Sequence, residues 1–379
     1  MIGYFLMMIA GCLSGYSQGL YNDGSLISVS AQTIFKLPDS LVNNGTLINN
    51  GELIISGAWI NKGTYTAGEG EINFDNNLTQ VINHNDQSIG KLVISGGGKK
   101  HFLANITIQS ELRLENGILE SGNGAKIIMN QGVTVIGASD NSHILGAVEH
   151  SGLGDWLFPT GNGTVYLPVN VTNVTDPVAS ATLSLNELTS GQALSGDPDL
   201  AALSTKRYWQ LALTGNLNTS KINLPLSGED ELTSNNEMLV VAGSNTGSGP
   251  YSSLGKSEFT GTLSSGSLTS DQAPAFSFFT VASLTGETGI EVFNAVSPNG
   301  DTQNDYMRIR NIELYPGNHV LIYNRWGDKV FEMSGYDNDE KSFKGESNVT
   351  GKKLPGGTYF YSIDLKDGSG RKTGFVALK

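Results

Sequence analysis

Residues 41–66 read LVNNGT, LINNGE, LIISGA, WINKGT, YT. Gly45, Gly51, Gly57 and Gly63 recur every six residues, and Leu41, Leu47, Leu53, Trp59 and Tyr65 keep the same period. Val42, Ile48, Ile54 and Ile60 follow one place later. Each hexad has room for a strand of three or four residues and a corner containing glycine, where a positive φ is expected because glycine adopts it at little cost. A side chain repeated at a short fixed period stacks on its copy in the next coil, which predicts a β-solenoid of the parallel β-helix kind. Asparagines at the corners are then placed to form amide ladders. The competing pattern is a meander of hairpins, since NNG also suits a type I′ turn. Arms this short make poor independent hairpins, which favours the solenoid.

The texture extends in both directions from this stretch. Alternation in Ile106/Ile108, Leu112/Leu114, Ile127 and Val133/Val135 is strand-like, and the solenoid is predicted over residues 20–150. From GDWLFPTGNGTVYLPV, residues 154–169, onward, prolines 159, 168 and 177 appear and no period survives. Longer strands (ATLSLNEL, RYWQLALTG, MLVVAGS, FSFFTVASL) separated by turns predict a β-sandwich over residues 151–284. A linker over 285–290 leads to a C-terminal domain over 291–379, also expected to be a small immunoglobulin-like sandwich. The fold class is therefore all-β. No amphipathic helix longer than two turns is visible, and 48 glycines with only 16% charged residues fit many short strands and tight turns.

The formal charge is −13 over 379 residues. Residues 289–379 hold 12 acidic and 12 basic side chains, so the other 24 acidic against 11 basic carry the whole excess. No basic stripe exists to displace counterions, and nucleic acid is not an expected partner. The apolar start, MIGYFLMMIAGCLSGYSQ, has the length of a secretory signal and is too short to span a bilayer. It predicts a signal peptide over residues 1–17, although the usual positive n-region is missing. The alternative is that IAGC is a bacterial lipoprotein box, with Cys12 lipidated. Cys12 is the single cysteine.

Catalytic chemistry is not legible. The five histidines, at 84, 101, 143, 150 and 319, lack zinc-ligand spacing. No nucleophile elbow, Walker loop or dinucleotide fingerprint occurs. A non-enzymatic role with no cofactor is expected. In SPNGDTQND, the side chains of Asn299, Asp301, Asn304 and Asp305 place oxygen donors around Gly300, as a calcium loop would. The same residues also make ordinary Asx turns.

The last quarter carries NAVSPNGDTQND, LYPGNHVLIYNRWGDKVFE, YDND and LPGGTYFYSIDLKDGSGRKTGFVALK. Read from the residues, Val320 to Tyr323 and Lys329 to Glu332 form two arms around the turn Asn324-Arg325-Trp326-Gly327. Tyr359, Tyr361, Ile363 and Leu365 alternate along a strand with one apolar face. Arg325 beside Trp326 suggests a cation–π pair with Trp326 closing one end of the core. Large rings suit a unit of about 90 residues, whose core is marginal.

Together these motifs resemble the gliding-motility-associated C-terminal domain, the type-B sorting domain of type IX secretion in Bacteroidetes. The residues carrying the resemblance are Ser297, Pro298, Asn299, Gly300, Asp301, Asn304, Asp305, Asn324, Arg325, Trp326, Gly327, Leu354, Pro355, Gly357, Thr358, Tyr359 and Tyr361. Two departures stand out: Thr302 replaces the usual glycine after NGD, and Phe343-Lys344-Gly345 replaces Trp-Asp-Gly. The resemblance implies export through the signal peptide, then passage through the type IX translocon with an outer-membrane barrel partner. It places the product at the cell surface or outside the cell. An adhesin-like body with a surface glycan or protein ligand follows as the expectation, and gliding motility as one setting. The alternative is a carbohydrate-binding or carbohydrate-active β-helix with the same tail.

Overall fold

The computed structural model describes residues 19–379 apart from 123, 231, 233–235, 286–289, 302 and 367–370. The predicted signal peptide, Cys12, most of the predicted linker and Thr302 lie outside the described residues. The described chain is all-β, with three short 3₁₀ turns and no α-helix. It divides into two compact units, essentially the residues up to Ser283 and those from Leu284 onward.

The first unit begins as a stack of three-sided coils. The strands Leu41–Asn43, Thr46–Asn49 and Glu52–Ile55 form one coil, and Trp59–Asn61, Thr64–Ala67 and Glu71–Phe74 form the next. Pairing between coils is parallel throughout. A hexad is thus one side of a coil, and three hexads complete the turn. Leu41 registers with Trp59, eighteen residues on, and Leu47 with Tyr65. Where the six-residue period lapses, the stacking does not: Leu53, Ile72, Leu92 and Leu112 form one fully buried column. Burying each such side chain contributes roughly 1.5–3 kcal/mol.

The corner glycines stand there for a reason other than the one expected. Gly45, Gly51, Gly57 and Gly63 are absent from the positive-φ residues. Instead a Cβ at Gly63 would fall on the Gly45 carbonyl of the preceding coil, an oxygen already accepting from the Thr64 N–H at 2.9 Å. Close approach of backbone to backbone, not left-handed φ, excludes a side chain.

Polar residues that turn inward pair with their stacked copies. Asn22 donates to Asn43 at 2.7 Å and Asn43 to Asn61 at 2.8 Å, all three buried. This is the amide ladder that repetition of Asn at the corners suggested.

The solenoid and the sandwich are continuous. Ala147–Ser151 pairs in parallel with Lys126–Met129 on one side and antiparallel with Ser180–Glu187 on the other. One 14-stranded sheet therefore runs from Ile34–Leu37 through the coils into Arg207–Thr214, Phe278–Leu284 and Leu239–Ser244. A second sheet, of five strands from Gly154–Phe158 to Glu258–Gly261, covers it. One hydrophobic cluster extends from Leu41 to Val281. The change of texture at residues 150–151 marks a reversal of strand direction inside a shared sheet. The antiparallel strand covers the open parallel edge that a solenoid would otherwise present.

Candidate functional site

The second unit has its own core, including Val320, Ile322, Phe331, Tyr336, Phe343, Ile363 and Val376. Its five-stranded sheet runs Ala295–Val296, Arg371–Leu378, Gly357–Asp364, His319–Tyr323, Lys329–Ser334. Tyr359, Tyr361, Ile363 and Leu365 all face inward, as their alternation predicts. Gly374 lies beneath the Tyr361 ring and leaves room for it. Phe343, which replaces the family's Trp, is fully buried with its ring 5.2 Å from that of Phe331. The Tyr336 hydroxyl accepts from the Phe343 N–H at 2.9 Å and donates to the Met307 carbonyl.

Strand directions bring the separate motifs to one end of this sheet. Ala295–Val296 runs parallel to Arg371–Leu378, so Ser297 leaves the sheet beside the chain terminus at Lys379. Gly357–Asp364 is antiparallel to both of its neighbours. Its start at Gly357 therefore sits beside Leu378 on one side and beside the turn after Tyr323 on the other. The SPNGD loop, the LPGG stretch and the NRWG turn thus leave by the same edge. Pro298 and Leu378 pack around Gly345, and the Leu354 N–H donates to the Gly345 carbonyl at 2.9 Å.

A groove of about 280 Å³ lies between two of these motifs. Asn324, Arg325 and Trp326 line one wall, and Leu354, Pro355, Gly357, Thr358 and Tyr359 the other. Arg325 Nη2 approaches Gly357, and the Tyr359 hydroxyl donates to the Pro355 carbonyl at 2.8 Å. Burial raises the Tyr359 phenol, and the Arg325 charge acts against that shift.

The NRWG turn corrects one expectation. Trp326 is 81% exposed and closes no core. Asn324 Oδ1 accepts from the N–H groups of Trp326 and Asp328, at 2.8 and 3.0 Å, and Gly327 takes φ of +84°. This side-chain brace closes a tight turn whose middle residues project beyond the sheet. The core position is already filled by Phe331, Tyr336 and Phe343. Among the described residues the cation–π contacts of this unit join Arg308 and Arg310 to Phe293, at 5.6 and 5.5 Å.

In the SPNGD loop the carboxylates face backbone donors. Asp301 accepts from the Gln303 N–H at 2.8 Å and the Asn299 amide at 2.9 Å, which lowers its pKa. Asp305 accepts from the Gly300 N–H at 2.8 Å, and the Ser297 N–H donates to the Asn304 carbonyl at 2.7 Å. Gly300 and Asn304 take positive φ. These are Asx turns. The Asp301 and Asp305 carboxylates brace the loop through these N–H groups.

One feature went unread in the sequence although its signal was present. In the triple aromatic Tyr359-Phe360-Tyr361, period two sends the middle ring to the opposite face. Phe360 is 48% exposed, beside Phe375 at 52%.

Comparison with known proteins bears on this same unit. Residues 290–378 match the CHU_C type IX secretion signal domain. The chain carries a type IX sorting signal. Such a signal implies engagement of the secretion machinery and export to the surface or beyond. No curated protein and no solved structure matches the chain.

Proposed function

We propose that this chain is a non-enzymatic, adhesin-like cargo that enters the periplasm by a cleaved signal peptide. Its type IX secretion signal domain then takes it across the outer membrane. The observation that carries the reading is the gathering of the SPNGD, NRWG and LPGG segments at one end of a separately cored unit. A recognition face assembled from distant segments exists only when the domain is folded. The body supports the adhesin-like role through its construction: one sheet and one core run from solenoid to sandwich, a stiff scaffold with repeated lateral faces.

Ending the chain at residue 288 should leave the product in the periplasm. Surface display of that truncated form, measured by protease shaving of intact cells, counts against the sorting role.

A specific cluster supports the carbohydrate-active alternative. Glu52, Glu69, Glu71 and Lys91 line a depression of about 300 Å³ on the solenoid. Burial raises the Glu71 pKa, opposed by Arg113 and assisted by Glu52 and Glu111. Neighbouring carboxyl groups, one of them with its pKa raised, are the groups that glycoside hydrolysis employs. Incubation of the purified body with a glycan array and a polysaccharide panel separates the two readings, since cleavage products are expected only from the second.

A further inference from the structure

Resting on the sorting role of the C-terminal unit, we infer that a protein component of the export machinery docks on the solvent face of its five-stranded sheet. The contact runs along an aromatic row from Phe375 through Phe360 to Tyr323 and ends at the Arg325-Trp326 lip.

Register places these rings side by side. Tyr323 lies opposite Phe360, and Phe360 opposite Phe375, on three adjacent strands. Ala377 and Ala295 extend the apolar surface at the same end, and half-exposed Leu321 flanks it. Lys329, opposite Tyr323 and paired with Glu332, sets a charged margin at the outer end of the row, and along the strands the face changes character. Four residues back from Tyr323, about 13 Å away, His319, Asp364 and Arg371 share one row. Asp364 there pairs with Lys366 at 2.9 Å, and His319 with Glu332 at 3.0 Å. The apolar half is the half beside the NRWG and LPGG segments. Thr358 lines their groove, and Phe360 is the next residue on the same side of that strand.

Charge and area define the partner. Arg325 is exposed at the lip and joins none of the ion pairs among the described residues. Its complement is a carboxylate on the partner, set beside an apolar strip. Phe360, Phe375 and Trp326 together expose roughly 400 Å², at about 200 Å² for each full ring. That is half of the roughly 800 Å² per partner in a stable interface. A transient contact of that size fits a cargo that is engaged and then released, and it is too small to hold a second copy of this chain.

The test uses the full chain in a cell with a type IX system. A photo-crosslinking benzoylphenylalanine in place of Phe360 should yield, on illumination, an adduct with an export-machinery protein identified by mass spectrometry. Adducts only with a second copy or with glycan, or none at all, overturn the inference. Phe360→Ser with Phe375→Ser, and separately Arg325→Glu with Trp326→Ala, should lower the extracellular fraction about tenfold at an unchanged melting temperature. Asp364→Asn, at the ion-paired end, should export normally. Wild-type export of both double variants overturns the inference, and so does an equal loss in Asp364→Asn. If the serine variants unfold, the crosslink in the otherwise native chain decides. Retention of the chain ending at 288 alongside normal export of the variants removes this face alone. Export of that truncated chain removes the sorting role itself.

Discussion

Trp59 donates its indole N–H to His84 Nδ1 at 2.9 Å inside the solenoid, where both side chains are fully buried. The other ring nitrogen of His84 lies 3.3 Å from the Ser88 carbonyl. The acceptor at Nδ1 therefore requires the neutral Nε2–H tautomer. The His84 ring also lies edge-on to Tyr65, with centroids 4.8 Å apart.

Acid should loosen this interior. Burial holds His84 down to about 4 from 6.5, and His150 likewise. The native chain keeps these imidazoles neutral, so between pH 6.5 and 4 the unfolded chain binds more protons. Stability is fully present above pH 6.5 and is lost as pH falls through that window. A shift of this size corresponds to about 3 kcal/mol for His84. Thermal melts of the body from pH 7.5 to 4 should show the decline, and His84→Gln should remove about one proton from its slope. An unchanged slope in that variant would mean His84 is not buried neutral.

The amide ladder predicts a non-additive pair. Asn43→Leu keeps the branched shape but leaves the Asn61 carbonyl oxygen without its donor, at a cost of about 2–3 kcal/mol. Adding Asn61→Leu removes the orphan as well, so the double variant should be more stable than the sum of the two single changes. Denaturant midpoints in a double-mutant cycle read this directly. Strict additivity would show that the bond contributes nothing.

Two glycines separate backbone crowding from backbone strain. Gly63→Ala drives a methyl into the coil below and should cost about 3 kcal/mol or more. Gly24 has φ of +79° with open space around it, so Gly24→Ala should cost only about 1 kcal/mol. The opposite ranking in unfolding midpoints would contradict the corner geometry.

Phe343 and Trp326 should part company in the sorting domain. Removing buried Phe343 costs about 3–5 kcal/mol, a large share of the roughly 5–13 kcal/mol that a unit this size holds. Phe343→Ala should therefore unfold the domain and leave the chain in the periplasm. Trp326→Ala should move the melting temperature by less than about 4 °C, since an exposed side chain contributes within about 0.5 kcal/mol. A large destabilisation by Trp326→Ala would restore the core-plug role that its exposure argues against.

Much of this was legible along the chain, and the exceptions have identifiable causes. The hexads announced the solenoid because stacking requires like on like. The number of hexads in a coil was not visible, since corner angles decide it and Leu41 meets Trp59 only in three dimensions. The break near residue 150 was read from composition, but strand pairing is made by backbone groups and is blind to composition. Ala147–Ser151 therefore carries the sheet straight across it.

The order of residues alone determined the all-β class, the coil-forming period and the presence of the C-terminal motifs, because each depends on local spacing and side-chain type. Only the tertiary structure decided that the SPNGD, NRWG and LPGG segments share one edge, that Trp326 faces water, and that Phe360 lies beside Phe375. Those relationships arise from strand direction and register between segments far apart in the chain. Non-local hydrogen bonding sets them, and no local pattern records it.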